Sequence, residues 1–139
     1  MLNCCKHWSW SLAAVALCGA VALSISAADG TKSDDTAAQC QKLAREVYAE
    51  MVERANSADG YDIEDLELWS RNLLGAELDA AGNPDERTAA HAAHVVRTKE
   101  LEELAKAFAR AGQAKQSDAL AAEFYRLQAE HGQAAAQRK

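Results

Sequence analysis

One stretch of the sequence carries two helical patterns with a glycine between them: residues 101–134, LEELAKAFARAGQAKQSDALAAEFYRLQAEHGQA. Before the glycine, apolar side chains recur every three or four residues, at Leu101, Leu104, Phe108 and Ala111. After it, the same helical spacing runs through Leu120, Phe124, Leu127, His131 and Ala134. Two apolar stripes joined by a short break can bury each other when the chain folds back. The sequence therefore predicts an antiparallel helical hairpin that turns at Ala111-Gly112.

The remainder of the predicted domain, which spans residues 36–137, is helical as well. No segment alternates apolar and polar residues with the period of two that marks a strand, and the chain has only one proline. The expected helices cover residues 36–56, 62–80, 84–111 and 117–137. The predicted fold class is all-α, a small helical bundle that contains the long antiparallel hairpin.

Two helix starts carry clear capping signals. Gly82-Asn83-Pro84 is the strongest, because Gly82 can end one helix, Asn83 can cap the next, and Pro84 then stands where its missing N–H costs nothing. Glu86 occupies the capping-box position that follows. Asp62 is the expected cap of the second helix, ahead of the apolar pattern that begins at residue 63.

The first 28 residues have the composition of a secretory signal peptide. Lys6 precedes an apolar run over residues 8–25, and Ser26-Ala27-Ala28 places small residues where a signal peptidase reads. We therefore expect an exported protein, in the periplasm or at the cell surface. The rival interpretation is an uncleaved membrane anchor, since the run is almost long enough to span a bilayer. The polar, glycine-containing residues 29–35 are expected to form a flexible tether.

The charge balance excludes some partners. The chain has 15 basic and 21 acidic residues, a net charge of −6, and no basic cluster with interleaved aromatic residues. Nucleic acid is therefore not an expected partner. A membrane is expected as a partner only if the signal segment is retained, because the helix faces are acidic or mixed. Cys40 is the only cysteine outside the signal segment, and it would either cross-link two copies or pack as a small residue.

Several short motifs lie along residues 68–134, namely Leu68-Trp69-Ser70-Arg71, Ala76-Glu77-Leu78-Asp79, Lys99-Glu100-Leu101-Glu102, Ala111-Gly112-Gln113, Asp118 with Leu120, and Ala129-Glu130. Together they resemble the α-helical portion of outer-membrane efflux proteins, the TolC-like family. The chain has neither the membrane strands nor the length of such a channel, so the resemblance implies a hairpin module only. Lys115 stands where the family commonly has a capping serine or threonine, which leaves Ser117 as the expected cap of the last helix.

The resemblance also implies a place for a partner to bind. Channels of this family meet their periplasmic adaptor proteins at hairpin tips, so Gly112 and Gln113 would be the contact by analogy. A third candidate follows from the helical geometry. Adjacent side chains cannot both point into one helix seam, so Phe124 is expected to face the seam and Tyr125 to be left for a neighbour.

Three histidines offer an alternative function. His91 and His94 are three residues apart and share a helix face, and His131 lies at nearly the same sequence distance from Gly112 as His94, on the other side of the turn. A three-histidine metal site or a pH-sensitive contact is therefore conceivable. The simpler interpretation is a surface or seam histidine, because His94 belongs to the apolar stripe that leads to Leu101.

No catalytic arrangement is evident in the sequence. Carboxylate pairs such as Glu102-Glu103 and Asp34-Asp35 lie in open charged runs, where we expect them to be solvated, and the serines lack a paired base. No cofactor is expected. The leading hypothesis is an exported, non-enzymatic helical interaction or scaffold protein that docks through its hairpin seam or tip onto a helical partner or a second copy. The alternative is a metal- or pH-sensing protein that uses the three histidines.

Overall fold

The structure of the protein, a computed structural model, describes residues 29–57 and 62–138. These residues form four α-helices and no strand: α1 (Asp29–Asn56), α2 (Ile63–Ala80), α3 (Pro84–Arg110) and α4 (Gln116–Ala136). The predicted all-α class is confirmed. None of the four described helices is both long and apolar enough to span a bilayer. The predicted signal peptide, residues 1–28, lies outside the described residues.

Helix α1 begins earlier than the sequence predicts. The expected tether over residues 29–35 is helical in the structure, because α1 starts at Asp29. The segment contains no proline, and each residue added to an existing helix extends the backbone ladder by one hydrogen bond. A polar composition indicates little burial, but it does not exclude a helix.

The predicted caps of α2 and α3 are confirmed. The Asp62 carboxylate accepts hydrogen bonds from the backbone N–H groups of Glu64 and Asp65, at 2.9 and 3.2 Å. Asn83 Oδ1 accepts from the N–H of Glu86 at 2.9 Å. These bonds satisfy N–H groups that the first turn of a helix leaves without an intrahelical partner.

The predicted cap of α4 is wrong by two residues. Lys115 is the N-cap, and its backbone N–H donates to the Asp118 carboxylate at 3.0 Å. Ser117 therefore lies inside the first turn, where its hydroxyl donates to the same carboxylate at 3.2 Å. Asp118, at the third helical position, thus supplies the half of a capping box that accepts from the N-cap N–H.

The hairpin turn between α3 and α4 is a Schellman motif. Gly112 adopts a left-handed backbone with φ of +72°, and its N–H donates to the carbonyl of Ala109 at 3.1 Å. The N–H of Gln113 donates to the carbonyl of Phe108 at 2.9 Å. Both bonds satisfy carbonyls that the end of α3 would leave without partners. The predicted reversal at residues 111–112 is confirmed, and α3 and α4 pack along each other as an antiparallel pair.

We expect Gly112→Ala to lower the free energy of unfolding by about 1–2 kcal/mol, because a side chain disfavours the left-handed backbone. Gly75→Ala is the matched control. Gly75 lies inside α2 with open space where a Cβ would stand, so this change should stabilise the protein by about 0.5–1 kcal/mol. Urea denaturation followed by circular dichroism would measure both. Equal effects of the two substitutions would contradict the assigned turn.

The helices pack in chain order and form an open arrangement. α1 packs on α2, α2 on α3 and α3 on α4, with a smaller contact between α2 and α4. No Cα atom of α1 lies within 8 Å of one in α4. The central core takes buried residues from all four helices: Ala55, Ile63, Leu66, Leu101, Ala105, Ala119 and Ala122. Helix α4 therefore lies at the edge of the bundle, where part of its surface faces away from every described helix.

Candidate interaction surface

Helix α4 packs against α3 through alanines. Its buried residues are Ala119, Ala122 and Ala129. Ala122 is 0% exposed, as is Ala105 of α3 in the same cluster. Alanine side chains at these positions leave room for the two helices to approach closely. The contact that holds the hairpin together is therefore an alanine seam.

The predicted apolar seam of α4 is wrong. Leu120, Phe124 and Leu127 are 59, 59 and 51% exposed. His131 and Ala134, which complete the predicted stripe, are exposed as well. We call these five residues the outer face of α4. They point away from α3, so the hairpin forms as predicted but buries the opposite side of its second helix.

An ion-pair network explains why the alanine side is buried. Glu102 of α3 is only 5% exposed, and its carboxylate accepts from Lys106 Nζ at 2.7 Å and from Arg126 Nε of α4. A buried carboxylate needs cationic partners, and Arg126 lies on the alanine side of α4. Turning the outer face of α4 toward α3 would carry Arg126 away from Glu102 and leave that charge with fewer partners.

The same network corrects the expectation that the Glu102-Glu103 pair is solvated. Glu103 is exposed, but Glu102 is buried. Hydrogen bonding from Lys106, with further contributions from Arg126, holds the pKa of the Glu102 carboxyl below its usual value, although burial opposes the shift. The carboxylate is thus kept ionised as a structural link between α3 and α4.

The outer face of α4 is apolar and carries no permanent charge. Its residues are spaced by four, three, four and three positions, the heptad spacing of a coiled-coil seam. From Leu120 to Ala134 the face is about 21 Å long at the α-helical rise. Three of the six exposed large apolar side chains in the described residues belong to it. A second helix packed along this face would find a continuous row of side chains to interdigitate with.

The structure reverses the predicted roles of Phe124 and Tyr125. Tyr125, expected to be free for a partner, packs against the central core, whereas Phe124 points outward. Their rings meet edge to face with centroids 6.0 Å apart. Burial, together with the nearby carboxylates of Glu67 and Glu64, raises the pKa of the Tyr125 hydroxyl. Phe124 therefore replaces Tyr125 as the aromatic residue available to a partner.

Gly112 and Gln113 are exposed at the tip of the hairpin. The Schellman turn uses the backbone N–H groups of both residues in hydrogen bonds. The side chain of Gln113 is exposed to solvent beside the glycine. Their accessibility agrees with the predicted contact, and partner binding at the tip stays a prediction.

The three histidines do not form the metal site that the sequence made conceivable. Within residues 29–57 and 62–138, no three His, Cys, Asp or Glu side chains are placed to hold a metal ion. His131 lies on the outer face of α4 and is exposed, whereas His94 is buried between α2 and α3. Nδ1 of His94 lies 3.0 Å from the Ser70 hydroxyl. Burial, reinforced by the positive charges of Arg97 and neighbouring basic groups, lowers the pKa of His94 to about 4.

A polar cluster beside His94 ties α1, α2 and α3 together. Nη1 and Nη2 of Arg97 bind both carboxylate oxygens of Glu77, at 3.2 and 2.9 Å, and its Nε donates to the Ser70 hydroxyl at 3.4 Å. The same guanidinium lies 6.0 Å from the ring centre of Tyr48 in α1. Sequence reasoning missed this cluster, because its members come from three helices and share no local pattern.

No protein-family model, curated protein or solved structure matches this chain. Cys40 is an exposed free thiol. His94 contacts Ser70, and Tyr125 packs against the central core, so both are engaged in contacts within the protein. The outer face of α4 combines exposure, apolar character and regular spacing, which makes it the strongest candidate for binding.

Proposed function

We propose that this is an exported, non-enzymatic helical interaction protein that docks against another helix through the outer face of α4. The observation that carries the proposal is the exposure of Leu120, Phe124 and Leu127, at 59, 59 and 51%, in one heptad-spaced row. Fully burying a leucine or phenylalanine side chain is worth about 1.5–3 kcal/mol. The row contains three such side chains, so a helix that covers it gains more burial free energy than a contact with one exposed residue would give.

The rest of the proposal comes from the sequence. The signal-like residues 1–28 support export, to the periplasm or the cell surface. The resemblance of residues 68–134 to TolC-like hairpins supports an interaction function, since channels of that family meet adaptor proteins at hairpin tips. Gly112 and Gln113 would then extend the contact beyond the end of α4. Ser70 is the serine that lies beside a histidine, at 3.0 Å from Nδ1 of His94, but both side chains are buried between α2 and α3, where a substrate cannot reach them. This burial supports a non-enzymatic role.

The alternative, a metal- or pH-sensing protein built on His91, His94 and His131, has less support. The three side chains are not gathered into a metal-binding group in the described residues. His94 has a pKa of about 4, so it changes charge well below neutral pH. A sensor that works near neutral pH would need a histidine that titrates there.

In-cell photo-crosslinking tests the proposed docking. A photoreactive amino acid in place of Phe124 should give a discrete adduct when the full chain is produced and exported. The same amino acid in place of Leu43 is the matched control, because Leu43 is 54% exposed but lies on α1. We expect adducts at position 124 and none at position 43. No adduct at 124, or equal labelling at both positions, would refute docking through α4.

A further inference from the structure

We propose that the helix covering the outer face of α4 is the α4 of a second copy of this chain, packed antiparallel about a two-fold axis. The proposal rests on the proposed function, because it names the partner of the same face. An isologous contact of this kind closes on itself, so it produces a dimer and no larger assembly. The steric pattern of the face supports it, and the charges and the size of the face are compatible with a weak dimer.

The first support is the gradient of side-chain size along the face. The largest side chains are at Leu120, Phe124 and Leu127, and the side chain at the end of the face, Ala134, is small. In an antiparallel pair Phe124 of one copy opposes Leu127 of the other, and Leu120 opposes His131. The two bulky central layers are then flanked by a mixed layer on each side, with Ser117 opposite Ala134 at the ends. Interdigitation of this kind fills the interface evenly.

A parallel pair would pack poorly along the same face. Each residue would meet its own copy, so Phe124 would oppose Phe124 at one end and Ala134 would oppose Ala134 at the other. The two Phe124 rings would hold the helices apart. At that separation the two Ala134 side chains would not touch, and the gap between them would lose dispersion contacts. Antiparallel helices also place opposite ends of their macrodipoles together.

The charges beside the face are compatible with self-association. None of the five face residues is permanently charged. On one flank, Glu123 of one copy approaches Glu130 of the other. Glu130 is already paired with Arg126 at 2.8 Å and with Lys99 at 3.4 Å, so the approaching carboxylate meets a neutralised cluster. The pairing of Glu130 within its own copy weakens the like-charge repulsion at this point.

The size of the contact predicts a weak, concentration-dependent dimer. From Ser117 to Ala134 the six opposed layers extend about 26 Å at the α-helical rise. Such a contact buries on the order of 500 Å² per copy, or about 1,000 Å² in total, which is below the lower limit of about 1,200 Å² for stable interfaces and in the range of weak, transient ones. We therefore expect dissociation in the micromolar range, of about 1–100 μM.

Sedimentation equilibrium of the full chain over a concentration series tests the proposal. Reducing conditions prevent exposed Cys40 from linking copies covalently. The wild-type chain should move from one to two copies as concentration rises. Leu120→Asp should remain monomeric, because its carboxylate would be buried against the partner. Leu43→Asp, the matched control on α1, should dimerise like the wild type.

A compensating substitution tests the antiparallel register. In that register residue 120 opposes residue 131, so Leu120→Asp combined with His131→Arg places an aspartate opposite an arginine twice across the interface. The dissociation constant of the double variant should be at least tenfold lower than that of Leu120→Asp alone, a gain of about 1.4 kcal/mol in association. In a parallel pair the same substitutions would oppose like charges. Failure of the double variant to recover would overturn the antiparallel arrangement.

The outcomes separate this proposal from the proposed function. A wild-type chain that is monomeric at every concentration would contradict the proposed dimer. In the crosslinking experiment an adduct of twice the chain mass supports the dimer. An adduct of another mass supports docking onto a different protein and contradicts self-association. Circular dichroism should show every variant folded, because residues 120 and 131 are exposed. If Leu120→Asp unfolds, Leu127→Gln provides the second disruptive variant, and persistent dimerisation of that variant would also overturn the proposal.

Discussion

Arg97→Met is expected to lower the free energy of unfolding by about 3 kcal/mol, because removing one partner of a buried ion pair leaves the other charge uncompensated. The side chains of Arg97 and Glu77 are each only 11% exposed. Methionine keeps most of the side-chain volume but supplies no donor. Among the residues that the structure describes, the cation left within 4 Å of the Glu77 carboxylate would be Arg45, at 3.8 Å on the exposed surface of α1. Urea denaturation at pH 7 would measure the change.

Two further variants locate the origin of the effect. Arg97→Met combined with Glu77→Met should recover much of the loss, since two apolar side chains can replace a buried ion pair at little cost. Arg54→Met is the matched control. Arg54 pairs with Glu50 at 2.8 Å on the surface of α1, and such exposed pairs contribute about 0.2–1 kcal/mol. If Arg97→Met costs no more than Arg54→Met, the cluster does not hold α1, α2 and α3 together as described.

The local features of this fold could be predicted from the sequence. Asp62 and Asn83 cap their helices, and Gly112 closes α3, because each of these roles depends on the geometry of a few consecutive residues. The same holds for the pair formed by Glu50 and Arg54, which lies within one helix. Such signals involve no knowledge of which helices pack together.

The side of α4 that is buried could not be predicted in the same way. The helix carries two rows with helical spacing, one of alanines through Ala122 and one of large apolar residues through Phe124. Periodicity is satisfied by either row, and hydrophobicity alone favours the larger one. The choice depends on Arg126 reaching Glu102 across the seam, a contact between residues 24 positions apart. The candidate surface is therefore a consequence of tertiary pairing.

His94 gives the second large effect, a loss of stability on acidification. Its pKa is about 4 in the folded protein and 6.5 for an ordinary histidine. Between these values the unfolded chain binds a proton that the folded protein does not. The contribution of His94 to stability is therefore full above pH 6.5, falls as the pH drops toward 4, and changes little further below that. At about 1.4 kcal/mol per pKa unit, the loss reaches about 3 kcal/mol.

Burial and the nearby Arg97 charge favour the neutral ring of His94, and the Ser70 contact is compatible with it. The Ser70 hydroxyl accepts from Arg97 Nε, so it can give its own proton to Nδ1 of His94 at 3.0 Å. A protonated ring would instead need the Ser70 hydroxyl to accept at Nδ1, and it would add a positive charge beside Arg97 in a buried site.

Urea denaturation at a series of pH values, compared between the wild type and His94→Gln, isolates this contribution. The variant should lose most of the slope between pH 6.5 and 4, because glutamine does not titrate. Two other groups, Glu67 with a raised pKa and Glu102 with a lowered one, are present in both proteins and cancel in the difference. Parallel stability curves for the two proteins would show that His94 is not held neutral between α2 and α3.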